Sequence, residues 1–195
     1  MDLIELLGFL GGGVGMFVGV PQALHVRKVG HGEGVSLLSW ILLFAVSCSW
    51  SAYGATIGAP SVLVTNLGAG IVNGSVVYVL ITRRIKALSL LIAIFASIWM
   101  LVFILPDVIV QALLIVVVFA QSPQIFESMR NYRNKKATVV SMPALRTAAF
   151  AMSCWGIYGI IAPEPVIFIT TCIALSINII IQILETLNSR QLRQP

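Results

Sequence analysis

Charge is scarce in this chain: only 10% of its 195 residues are Asp, Glu, Lys or Arg, where soluble domains carry roughly 25%. That excludes a water-soluble globule. With 58% hydrophobic residues and a mean hydropathy of +1.00, the composition is that of an integral membrane protein. Cysteine is nearly absent too, and Cys48, Cys154 and Cys172 stand inside apolar runs with no CxxC or Cys/His spacing. A disulfide framework and a metal centre are therefore not expected, and the three read as small packing residues. The seven acids, Asp2, Glu5, Glu33, Asp107, Glu127, Glu164 and Glu185, fall at or near predicted helix ends. None stands at the middle of a span, where carriers driven by a proton or cation usually keep an ionisable group. No Ser, His and acid come together in a catalytic constellation, so neither an enzyme nor a cofactor is expected.

What is present is apolar sequence in lengths that cross about 30 Å of hydrocarbon at 1.5 Å per residue. Seven such runs, 3–26, 37–57, 60–81, 87–105, 108–129, 143–161 and 166–187, use nearly the whole chain. They lack the dyad alternation of barrel strands, so the fold class is an all-α bundle of transmembrane helices. The first run opens on Asp2 and Glu5 and is too long for a signal peptide's apolar core, so it counts as a mature helix.

A net charge of +5 does not indicate nucleic acid, because every basic residue occupies alternate helix ends. Arg27 and Lys28 are followed by Arg83, Arg84 and Lys86, then by Arg130, Arg133, Lys135, Lys136 and Arg146, then by Arg190 and Arg193. The intervening turns carry none. The positive-inside rule then puts the N-terminus outside and the C-terminus in the cytoplasm, which requires an odd number of spans. The basic clusters also suit contact with an anionic lipid surface. His25 and His31 read as interfacial, and the Gly30–Gly34 stretch as a turn, since it lacks the strand-turn-helix context of a phosphate loop.

The chain repeats itself. Trp50-Ser-Ala-Tyr53-Gly54 recurs as Trp155-Gly-Ile-Tyr158-Gly159 at a shift of 105, which also superposes Ser36 on Ser141, Pro60 on Pro165 and Asn73 on Asn178. Pro21-Gln22 recurs as Pro123-Gln124 at a shift of 102, so the second copy has one three-residue insertion. Two triple-helix repeats, 1–86 and 108–195, are separated by an unmatched span at 87–107 that brings the chain back across the membrane. The repeats are therefore parallel, with a site expected near midplane where the two bundles meet.

Proline within a span removes an amide donor and clashes with the carbonyl four residues earlier. Pro21 and Pro123 should bend the first helix of each repeat, with Gln22 and Gln124 able to bond the freed backbone, as an inner hinge. The glycines of the first helix, with GxxxG spacing at Gly11/Gly15 and Gly15/Gly19, fit close helix packing.

The paired Pro-Gln motifs, the paired Trp-x-x-Tyr-Gly motifs and the 3+1+3 helix count together resemble the SWEET sugar transporters and their half-size SemiSWEET relatives in the PQ-loop superfamily. The likeness spans nearly the whole chain. It implies that the prolines act as hinges between open and closed forms, with Pro143 in a similar role in repeat two, where repeat one has Leu38. It implies a sugar site of a Trp on the second helix of each repeat and a polar residue sixteen positions on, here Trp50 with Asn66 and Trp155 with Thr171. Indole faces suit the C–H surfaces of a pyranose, and amide and hydroxyl groups suit its hydroxyls. Asn73 and Asn178 lie two turns beyond, on the same helix faces, and either line the inner pathway or only bind neighbouring helices. Tyr53 and Tyr158 sit toward the outer ends. The resemblance makes them outer-gate residues, latched by an acid six positions on, which is Glu164 for Tyr158 and is replaced by Ala59 for Tyr53.

The expected function is facilitated diffusion of a neutral mono- or disaccharide by alternating access, in a plasma or bacterial inner membrane. The partners expected are that sugar and the lipid bilayer, with neither a monomer nor a homo-oligomer excluded. The alternatives are a PQ-loop carrier for an amino acid or other small metabolite, and a non-transporting PQ-loop chaperone or receptor. The charge asymmetry gives a direct test of orientation. Cysteine at Ala59 or Glu164 should react with an impermeant thiol reagent applied outside sealed cells, and Lys135→Cys should not.

Overall fold

In a computed structural model the backbone is described for residues 2–29, 37–119, 122–136 and 140–192, without the side chains of 18–19, 21–23 and 25–29. The described elements are helices: α1 (Leu3–Val29), α2 (Leu37–Thr56), α3 (Pro60–Leu80), α4 (Arg84–Ile104), α5 (Asp107–Val118), α6 (Pro123–Arg133), α7 (Met142–Ile161) and α8 (Pro165–Leu192). They match the seven predicted runs with one difference. The fifth run is two helices, because Pro123 occupies the first turn of α6, where its missing N–H is one that a helix start leaves unbonded anyway. α1, by contrast, continues through Pro21. Pro143 stands in the first turn of α7 behind the cap Ser141, so it begins a helix instead of kinking one.

The chain divides into two compact units, 1–112 and 113–195. In the first, α3 packs between α1 and α2, and α4 lies against α2 and α3. In the second, α8 packs against both α6 and α7. Each unit is therefore organised around the third helix of its repeat. The burial pattern of α8 shows why: Ile167, Thr170/Thr171, Ala174, Ile177/Asn178, Ile181, Glu185 and Asn188 are buried, a three-to-four spacing that makes one continuous stripe. α4 has the opposite character. It is apolar all round, with Ala87 alone buried, as a lipid-facing helix requires.

The turn joining the second and third helices is built twice from equivalent residues. Ala59 N donates to Gly54 O at 2.9 Å and Leu63 N to Ala59 O at 3.0 Å; Glu164 N donates to Gly159 O at 3.0 Å and Phe168 N to Glu164 O at 3.1 Å. The glycine of each Trp-x-x-Tyr-Gly motif lets the helices touch here. A Cβ on Gly54 would stand 2.6 Å from Leu63 N, and one on Gly159 2.7 Å from Phe168 N. Both obstacles are backbone. α1 and α3 meet as closely, since a Cβ on Gly12 would fall 2.4 Å from the Cβ of Thr65.

Two termini of α3 are satisfied by charge. Ser61 N donates to a carboxylate oxygen of Glu5 at 2.6 Å, an acid at a helix N-terminus behind Pro60. At the other end the Arg84 guanidinium donates to the carbonyls of Tyr78 and Val79 and lies 5.0 Å over the Tyr78 ring. Both arrangements complement the helix dipole.

Overpacking of a close contact costs about 1–3 kcal/mol. Gly54→Ala and Gly159→Ala should each lower thermal stability in detergent by that order, whereas Gly13→Ala, with open space at its Cβ, should leave it unchanged.

Candidate functional site

The two tryptophans proposed for the site have equivalent surroundings. Trp50 is half-buried on α2 and meets the ring of Tyr53 edge-on at 5.9 Å. Trp155 is half-buried on α7 and meets Tyr158 edge-on at 5.3 Å. This is the favoured geometry of aromatic pairs. It fixes each indole against a tyrosine one turn along, leaving part of the ring system uncovered. The tyrosines themselves are buried: Tyr53 is 3% exposed and Tyr158 2%. Each packs against the tryptophan one turn before it. Glu164, half-buried, begins the turn into α8.

The polar partners are not equivalent. On α3, the Asn66 amide nitrogen donates to Val62 O at 2.8 Å, and the side chain faces a groove of about 520 Å³ bounded by α2, α3 and α4. Phe44, Cys48, Ser51, Tyr78 and Phe95 share that groove, and Trp50 does not line it. Asn66 and Trp50 are thus on adjoining helices without sharing this cavity. On α8, Thr171 is buried against α7, with its methyl 3.5 Å from where a Cβ on Gly156 would stand. The residue after Trp155 is therefore small where it faces Thr171.

Asn73 bridges helices. Its amide nitrogen donates to Ser47 Oγ at 3.1 Å and to Leu43 O at 3.3 Å. Asn178 has a different arrangement: it is buried, and its Oδ1 accepts from Gln182 Nε2 at 2.6 Å. Of the hinge residues, the side chains of Pro21 and Gln22 lie outside the described residues. Gln124 is described, and it leads to residues whose grouping the sequence did not reveal. Its Nε2 donates to Ser128 Oγ at 3.4 Å, and Ser128 Oγ donates to Glu185 Oε1 at 2.6 Å. Glu185, read from sequence as an end charge, is buried in α8. It stands twenty residues past Pro165, about 30 Å along the helix, so it does not put an acid at mid-span. The only sequence signal for this chain of bonds is the i, i+4 spacing of Gln124 and Ser128.

A comparison with solved structures finds a eukaryotic SWEET transporter, determined at 3.7 Å resolution, which superposes with a TM-score of 0.72 over 97% of this chain and 100% of its own at 15% identity. The chain has the SWEET fold. No protein-family profile matches the sequence, and no curated protein does. The SWEET fold accounts for the 3+1+3 arrangement, with α5 and α6 together forming the fifth span. Six spans meet the length and hydropathy of a membrane crossing in full, and α1 contributes the apolar stretch Leu3–Phe17.

The geometry of Asn73 separates its two roles. Interhelical hydrogen bonds in membranes average about 0.6 kcal/mol in double-mutant cycles. A cycle of Asn73→Ala and Ser47→Ala, read by unfolding in detergent, should show coupling of about that size. A substrate-lining Asn73 would instead leave stability unchanged and depress transport.

Proposed function

We propose that this protein is a transporter that carries a neutral sugar across the membrane by facilitated diffusion, alternating between inward- and outward-open forms. The observation that carries the reading is the duplicated pair of a half-buried Trp on a buried Tyr within a SWEET fold. A half-buried indole on each unit suits the C–H surface of a pyranose, and no charged side chain is required to bind a neutral ligand. Asn66 and Thr171 supply the polar contacts. Asn66 gives one N–H of its amide to Val62 O, which leaves its Oδ1 and second N–H for sugar hydroxyls. The third helices carry these residues, and the Pro-Gln pairs on the first helices supply the hinges. In the orientation set by the basic turns, the pairs lie toward the cytoplasm and Glu164 with Tyr158 toward the outside, as inner and outer gates. The repeats 1–86 and 108–195 then move as bodies with 87–107 as their connector.

The test is uptake into proteoliposomes across a panel of mono- and disaccharides, with and without a proton gradient. Equilibration of at least one sugar, to the same final distribution in either condition, is the expected result. Uphill accumulation driven by external acid would overturn the uncoupled mechanism. Loss of a partner for a buried sugar hydroxyl costs about 1–3 kcal/mol, or roughly 5- to 150-fold in affinity. Asn66→Ala should therefore reduce uptake more than Thr171→Ala, because the amide offers both acceptor and donor and the hydroxyl a single rotor. Trp50→Ala and Trp155→Ala should each reduce it through loss of a stacking face. Wild-type rates for both Asn66→Ala and Trp155→Ala at normal expression would remove the site and favour a non-transporting role.

A further inference from the structure

The second unit buries a carboxylate that nothing on the described chain neutralises. Glu185 is 2% exposed, and the Ser128 hydroxyl that donates to its Oε1 is fully buried. Its other oxygen, Oε2, is buried without a hydrogen-bond partner. Asn188, 1% exposed, donates through Nδ2 to Lys136 O at 2.9 Å, and its Oδ1 is likewise buried and unpartnered. Gln191 Oε1 is a third such atom. These three acceptors follow one another at three-residue intervals along α8, so each is a neighbour of the next on the helix surface. Among the described residues, the basic side chains near this end of α8 do not pair with Glu185. Arg130 pairs with Glu127 at 2.6 Å, and Arg133, Lys135, Lys136, Arg146 and Arg190 are exposed.

A buried carboxylate without a compensating charge, beside amide oxygens without donors, is strongly disfavoured in a low-dielectric setting. The arrangement is not demanded by the repeat fold, because the first copy has Val26 in place of Ser128 and Leu80 in place of Glu185. What unites the orphan atoms of the second copy is that all are oxygen acceptors, the donor set that binds hard cations. Their summed charge is that of one carboxylate. A monovalent ion brings the site to neutrality, while a divalent ion would leave a net positive charge buried.

We propose that Glu185 Oε2 and Asn188 Oδ1, with Gln191 Oε1 adjoining, bind an alkali-metal cation at the Arg190-bearing end of α8. The ion is held next to the Gln124–Ser128–Glu185 chain, which ties the Pro-Gln pair of α6 to α8. Occupancy therefore stabilises the contact of the hinge helix with the central helix of its own unit. The inference does not depend on which solute the protein carries.

The test is thermal unfolding of the purified full-length protein in detergent, followed by intrinsic tryptophan fluorescence. NaCl or KCl is titrated against N-methylglucamine chloride at constant ionic strength. A ligand that binds the folded state alone raises the unfolding temperature saturably, here by on the order of 5 °C at a hundredfold excess over Kd. Glu185→Gln should abolish the response, and Lys136→Gln should retain it. Should Glu185→Gln not fold, Asn188→Leu, which removes one oxygen and keeps the carboxylate, should raise the half-saturating concentration at least tenfold. An unfolding temperature identical in sodium, potassium and N-methylglucamine would overturn the proposal. So would a full cation response in Glu185→Gln, or a half-saturation point that Asn188→Leu leaves unmoved.

Discussion

In hydrocarbon, every polar group must find its partner within the chain, because no water is available to take its place. This requirement shapes the molecule at each level. It makes the backbone helical throughout the spans. It also turns the hydroxyls of the spans back on their own helices: Ser47 donates to Leu43 O, Thr65 to Ser61 O and Thr170 to Val166 O. At the ends of α3, where helical bonding runs out, Glu5 receives an amide and Arg84 donates to carbonyls. Side-chain polarity that remains after these local bonds has two uses, joining helices or meeting a ligand. Asn73 does the first. The oxygens of Glu185 and Asn188 are left for the second.

Much of the fold is legible in the sequence because lipid imposes so coarse a rule. Apolar run lengths place the spans to within a few residues. The internal repeat, read from a few matched residues, recurs in the structure as two turns with the same hydrogen bonds around Gly54 and Gly159. What sequence spacing conveys poorly is direction around a helix axis. Asn66 and Trp50 lie sixteen residues apart on adjoining helices, yet Asn66 faces the groove beside α4 and Trp50 packs on Tyr53. Tyr53 and Tyr158 illustrate the same limit: position near a helix end does not give burial, yet both are buried. Glu185 was hidden because charge near a span's end ordinarily reaches solvent, and only the placement of Ser128 on a different helix reveals that this one does not.

Duplication also explains which parts of the two units agree. Where backbone meets backbone, as at the motif glycines, any side chain collides with atoms that cannot move aside, so both copies keep glycine. Where a side chain meets a side chain, one partner can change if another compensates. Ser47 of the first copy is Met152 in the second, which removes the hydroxyl that Asn73 uses. Asn178 correspondingly bonds to Gln182 on its own helix, at the position where the first copy has Val77. The bond has moved from between helices to along one, and the amide keeps a partner in either case.

That exchange has a mechanical consequence. In the first unit the Asn73–Ser47 bond joins α3 to α2, so the second and third helices are tied by polar contact as well as by packing. In the second unit the polar tie between helices runs from α8 to α6 through Glu185 and Ser128, while the Gln182 contact to Leu145 O on α7 is long, at 3.5 Å. The first unit therefore ties its central helix to the second helix through Asn73 and to the start of the first through Glu5, and the second unit ties its central helix to the helix that begins with Pro123. If the first helices are the hinges, the two halves are not mechanically equal: the hinge of the second copy moves against the Ser128–Glu185 contact, and the equivalent positions of the first copy are Val26 and Leu80.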